Sequence, residues 1–144
     1  MFKLFTCSLL FLSFVFFSSA AIAQSSDEPN VVHVQNWKLK EQPMGDDATA
    51  FNEMMTRQSQ VVNSDSRVLN FYVLRHFWGA DSRDVILIGE FKNTDDLFSF
   101  YDDLDSLMEK AYSKEVLDKD DALWSRYMGH HSDEIYQQSP GTGK

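Results

Sequence analysis

Two hydrophobic periods alternate along the chain, one of two residues and one near 3.6, and each switch marks a new element. Val31–Lys40 (VVHVQNWKLK) is rich in β-formers and bounded by Pro43 and Gly45, which predicts a strand. Asp46 or Asp47 can cap a helix in which Phe51, Met54, Met55, Gln58, Val61 and Val62 recur near helical spacing, until Asn63–Ser66 breaks the pattern. Val68–Phe91 reads as a hairpin: VLNFYVLRHFW, the connection GADSR, then DVILIGEF. A second helix follows, with Thr94 as N-cap, Asp95 and Asp96 where the helix dipole favours negative charge, and Lys110 near the far end. Leu97, Phe98, Phe100, Tyr101, Leu104, Leu107, Met108 and Ala111 give it a broad apolar face. Leu117–Asp120 reads as a charged connection, and Asp121–Met128 as a third helical stretch ended by Gly129. The pattern of His130–Gln138 suits a helix or a strand.

The order strand, helix, strand, strand, helix predicts an α+β domain of the ferredoxin-like βαββαβ type, its antiparallel sheet covered by helices on one face. Such a domain needs a fourth strand, and His131–Gln137 (HSDEIYQ) is the segment left to supply it. The organisation expected is a signal peptide over 1–23, a flexible lead-in over 24–30, one domain over 31–138 and a frayed tail over 139–144.

The hairpin's two faces carry the main structural argument. With Gly79–Arg83 as the loop and Trp78 opposite Asp84, one face holds Phe71, Val73, Arg75, Phe77, Val85, Leu87 and Phe91. The other holds Tyr72, Leu74, His76, Trp78, Ile86, Ile88 and Glu90. Neither face is polar enough to meet water, and two amphipathic helices cover only one. An identical subunit packing sheet against sheet is the economical cover for the other. A cavity between the sheets would be lined by mixed aromatic and polar side chains, with His33, Gln35, Trp37 and Leu39 of the first strand expected to join it.

The chain's start changes the setting of this domain. Lys3, the apolar run Leu4–Phe17 and the small residues ending in Ala21-Ile22-Ala23 form a signal peptide pattern, with cleavage expected after Ala23. The apolar run falls short of the roughly 20 residues a spanning helix needs, so a periplasmic or secreted protein without a stable membrane anchor is expected. Cleavage removes Cys7, the single cysteine, and with it any disulfide or thiolate nucleophile. It also removes Lys3, leaving 12 basic residues against 22 acidic ones, so the formal charge moves from −9 to −10. A surface this acidic disfavours nucleic acid and anionic lipid as partners.

The element order, the two-sided hairpin and the stretch RHFWGADSRDVILIGEFKNTDDL resemble the dimeric α/β-barrel superfamily over about Val31–Gln137. That superfamily includes the antibiotic-biosynthesis monooxygenases, the stress-responsive barrel proteins and the haem-degrading monooxygenases. The resemblance implies a homodimer closed as an α/β barrel. The haem-degrading branch uses an Asn on the first strand, a Trp at the end of the third and a His on the next helix. Here Asn36 is present, Phe91 stands in the Trp position and Thr94–Tyr112 contains no histidine, which disfavours haem degradation.

The candidate chemistry is spread over both hairpin strands. His76 is the best acid or base by its ordinary pKa, with Asp84 expected beside it to orient the ring; a structural histidine is the alternative. Glu90 is expected to face Tyr72, as a buried base or as structural glue. Arg75 is expected on the helix-covered face, ion-paired to an acidic helix or loop residue. His33, Trp37, Tyr72 and Trp78 are the candidate ligand-binding residues, the tryptophans as stacking platforms or as core anchors. His130-His131-Ser132-Asp133-Glu134 lacks the spacing of a closed metal cage, and neither a phosphate loop nor a nucleophile elbow occurs, so no metal and no cofactor are expected. The expectation is an exported homodimer that binds a small apolar or aromatic molecule. The alternatives are a cofactor-independent monooxygenase-type enzyme using His76 or Glu90 as base, and a structural or interaction dimer without catalysis.

Overall fold

The computed structural model describes residues 29–142. The expected signal peptide and most of the lead-in lie outside the described residues. Seven elements follow in order: β1 (Val31–Leu39), α1 (Asp46–Ser64), β2 (Val68–Arg75), β3 (Asp84–Phe91), α2 (Thr94–Ala111), α3 (Lys114–Tyr127) and β4 (Met128–Gln137). The strands form one antiparallel sheet in the order β2-β3-β1-β4, the ferredoxin-like arrangement.

Side chains of α1, α2 and α3 pack on one sheet face. Phe51 and Met54 of α1, Val85, Leu87 and Phe91 of β3, Leu97 and Phe100 of α2, and Tyr127 of α3 are buried together in one core. Gly89 sits among them because a Cβ there would lie 2.9 Å from the Phe91 ring and 3.6 Å from that of Phe71. The start of α1 is tied to the end of α3 by Asp47, whose carboxylate accepts hydrogen bonds from the Tyr127 hydroxyl and the Arg126 guanidinium. Asp120, buried on α3, accepts a bidentate pair of hydrogen bonds from Nε and Nη2 of Arg57 on α1, with Nε to Oδ2 at 2.9 Å.

Several expectations are corrected. The hairpin register is displaced by two residues: Arg75 pairs with Val85 and Tyr72 with Ile88, and the connection spans 76–83. Because the displacement is even, the strand residues keep their faces. Phe77 and Trp78 leave the sheet altogether and stand almost fully exposed in the connection. Helix α2 is capped by Asn93 rather than Thr94, the Asn93 side chain accepting from the Asp96 N–H at 2.8 Å. Leu117–Asp120 is not a connection but the middle of α3, which begins at Lys114. There Asp120 points inward to Arg57, so charge in the sequence does not mark an exposed break.

The fourth strand forms where topology requires it, paired along β1 from Val31–Gln137 to Trp37–His131, with a register irregularity before Leu39–Met128. At that irregularity Gly129 crosses close to β1, where a Cβ would lie 2.5 Å from the Lys38 carbonyl oxygen. Among the described residues no helix covers the opposite sheet face. Tyr72 and Leu74 of β2, Ile86 and Ile88 of β3, and Val32 and Val34 of β1 lie on it, half-buried or exposed.

Candidate functional site

Strand β1 places its alternate residues Val31, His33, Gln35, Trp37 and Leu39 under the helices, and β4 aligns Ile135, Asp133 and His131 beside the central three. His33 and Trp37 therefore lie on the helix-covered face, correcting the expectation that they join Tyr72 on the uncovered one. The reason is the partner available there. His33 Nδ1 lies 2.9 Å from the Tyr101 hydroxyl of α2, and His33 Nε2 lies 3.1 Å from Asp133 Oδ1. Gln35 donates to the same carboxylate oxygen at 2.8 Å, and His131 Nε2 sits 3.1 Å from Oδ2.

This arrangement sets the tautomer of the neutral His33 ring. Burial opposes ionisation of Asp133, but the Gln35 hydrogen bond and the neighbouring His131 and His33 outweigh it and hold the carboxyl below its ordinary range. An ionised Asp133 only accepts, so His33 carries its proton on Nε2 and Nδ1 receives the Tyr101 O–H. Burial, with the Asp133 charge adding to it, pushes the Tyr101 phenol up to about 12. The result is a Tyr101–His33–Asp133 chain running from beneath α2 to the β4 edge. Only 8% of His33 is exposed, whereas Asp133 and His131 face solvent.

Trp37 extends the cluster sideways. His131 stacks on its ring at 3.8 Å and 12°, and Trp124 of α3 meets it edge-on at 4.9 Å. Its Nε1 is buried without a hydrogen-bond partner among the described residues.

The other candidates do not converge on this cluster. Glu90 stands opposite Asn70 and Val32 rather than Tyr72, and accepts a hydrogen bond from Asn30 at 3.2 Å. His76 lies just past β2, its N–H bonded to the Asp84 carbonyl at 3.1 Å, while Nδ1 remains 3.8 Å from Asp84 Oδ2. Asp84 is thus beside it, as expected, but beyond hydrogen-bond distance. The Nε2 of His76 is buried without a partner among the described residues, with Gly79 at φ +143 close by, where a Cβ would lie 2.8 Å from His76 Cε1. Tyr72 lies on the uncovered face and Trp78 in the exposed connection. Among the described residues no group of three or more His, Cys, Asp or Glu is arranged to hold a metal ion.

Sequence reasoning passed over Tyr101, Asp133 and Gln35 as a unit. Tyr101 counted as one apolar position of α2, although a buried phenol needs a partner for its hydroxyl. Asp133 was weighed as a metal ligand alone, and its pairing with Gln35 follows only from the β1–β4 register.

Comparison with solved structures places the architecture. The chain matches a dimeric protein of unknown function and ferredoxin-like fold from Bacteroides fragilis with a TM-score of 0.53 and 14% identity, over 76% of this chain and 96% of that one. It is similar to SnoaB, a cofactor-independent oxygenase from Streptomyces nogalater, in its N63A mutant, with a TM-score of 0.54 and 10% identity, over 81% and 99% of the two chains. The fold is shared. A candidate antibiotic biosynthesis monooxygenase from Nitrosomonas europaea matches with a TM-score of 0.53 and 16% identity, over 81% and 96%. The resemblance read from the hairpin is thus supported at the level of fold. No family model and no curated protein matches the sequence.

Proposed function

We propose that the protein is an exported homodimer of the α/β-barrel type that binds a small apolar or aromatic molecule. The observation that carries this reading is the uncovered sheet face. Val32, Val34, Ile86 and Ile88 are half-buried there with Tyr72 and Leu74 exposed beside them, more apolar surface than a sheet normally leaves to water. A second copy related by a two-fold axis presents the same patch and covers it. The dimeric ferredoxin-like neighbour supports this arrangement. Sedimentation of the protein with 1–23 removed tests it: a monomer at tens of micromolar overturns the dimer. Recovery from the periplasm or medium with Gln24 as its N-terminus tests export, and an uncleaved chain in the cytoplasm refutes it.

A second reading, an enzyme that removes a proton from an activated substrate, is favoured by the Tyr101–His33–Asp133 chain and by the oxygenase among the fold neighbours. In it His33, rather than His76 or Glu90, is the base. Tyr101 passes its hydroxyl proton to His33 Nδ1 as its oxygen takes the proton of the substrate, and Asp133 holds the resulting imidazolium through Nε2–H. Oxygen uptake with a panel of hydroxyaromatic compounds tests this reading. Turnover abolished in His33→Gln and retained in His76→Gln supports it, and the reverse pattern refutes it.

A further inference from the structure

Beside the edge strand β2, away from the Tyr101–His33–Asp133 chain, α1 and β2 flank an open groove of about 530 Å³. It is lined by Asn52, Thr56 and Gln60 of α1, by the buried Met55 and Phe71, and by Arg75. The volume falls in the range of small-molecule sites, and the mix of apolar residues with a few polar groups is typical of them.

Arg75 distinguishes this groove from an ordinary surface furrow. In a chain with 22 acidic residues against 13 basic ones, Arg57, Arg67, Arg83 and Arg126 each hold at least one carboxylate within 4 Å. Arg75, expected to be ion-paired, holds none among the described residues. It lies 5.2 Å over the Phe51 ring and donates once, at 3.1 Å, to Asn52 Oδ1. Partial desolvation lowers its pKa, with no carboxylate raising it in return. Arg75 is exposed, and a guanidinium with donors to spare is suited to bidentate recognition of a planar anion.

We propose that the α1–β2 groove binds a small carboxylate-bearing molecule, its carboxylate on Arg75 and its aryl or alkyl body on Met55 and Phe71. This rests on the small-molecule reading above and gives that molecule a charge and a place. A compact occupant fits better than an extended peptide added to β2. Asn63 already takes both edge positions of Phe71, accepting from its N–H and donating to its carbonyl at 2.8 Å each. A new strand would have to displace that amide.

Two-dimensional ¹H–¹⁵N NMR of the protein titrated with phenylacetate and with phenylacetamide tests the proposal. Phenylacetate is expected to shift the amide signals of Asn52, Thr56 and Val73, with affinity at least tenfold above that of phenylacetamide. Arg75→Gln is expected to remove that preference, and Arg75→Lys to keep part of it while reporting the same folded spectrum. Equal binding of acid and amide, or an unchanged preference in Arg75→Gln, overturns the carboxylate site while leaving small-molecule binding intact. No shift with either probe overturns the site. Weakened dimerisation of Arg75→Gln without phenylacetate binding to the wild type assigns Arg75 to the subunit contact instead and also overturns it. A wild-type dimer that survives these failures separates them from failure of the assembly itself.

Discussion

Replacing Tyr101 by Phe isolates one hydroxyl in the buried chain and has a cost whose pH dependence the structure fixes. The ring keeps its packing against Phe91, Phe100 and the edge of His33 at 5.1 Å. What is lost is the O–H that reaches His33 Nδ1 at 2.9 Å. Leaving an acceptor unsatisfied on a buried side chain costs about 1–3 kcal/mol, which is the destabilisation expected at pH 7. The wild type has a further dependence at high pH. A phenol raised from 10.0 to about 12 on folding contributes stability that is complete below pH 10 and is lost as pH rises through 12. Two pKa units correspond to about 2.7 kcal/mol in total, of which about 1.4 kcal/mol is gone at pH 11. Tyr101→Phe has no such group, so its stability falls less steeply, and the two proteins converge by about 1.4 kcal/mol between pH 8 and pH 11 on this linkage. The other tyrosines, including Tyr127 with its pKa raised by the Asp47 hydrogen bond, are common to both and cancel in the difference. Urea unfolding followed by far-UV circular dichroism at each pH measures this. Parallel stability curves for wild type and variant would refute the assignment of Tyr101 as a buried, neutral donor to His33.

Two further substitutions probe the scaffold and the assembly. Asp120→Ala leaves Arg57, among the described residues, with only Glu53 at 3.8 Å, and is expected to cost about 1–3 kcal/mol in denaturant unfolding because a part-buried charge loses its hydrogen-bonded partner; a cost near zero would contradict the inward placement of Asp120. Ile88→Arg puts a charge on the uncovered sheet face twice per dimer and is expected to give a folded monomer by sedimentation, whereas an unaltered dimer would place the subunit contact elsewhere.

The order of elements and the faces of the hairpin were legible because alternation has parity, and a register displaced by two residues leaves Tyr72, Ile86 and Ile88 together. The first strand was not legible in the same way. Val32 and Val34 form one face and Val31, His33, Trp37 and Leu39 the other, so both have an apolar claim to the core. The outcome depends on Tyr101 and Trp124, which arrive on helices far along the chain. A buried histidine is tolerable under those helices only because Asp133 supplies its second partner. Charge misled in α3, where Asp118 and Lys119 face water while Asp120, next in sequence, turns inward to Arg57. Arg75 was placed on the correct face, but its partner turned out to be an amide and an aromatic ring rather than a carboxylate.

Native mass spectrometry of the protein with 1–23 removed tests assembly and ligand in one measurement. The proposed function predicts a dimer at low micromolar concentration, which Ile88→Arg does not form, and a retained small molecule seen as added mass. A strictly monomeric, unliganded species would contradict it.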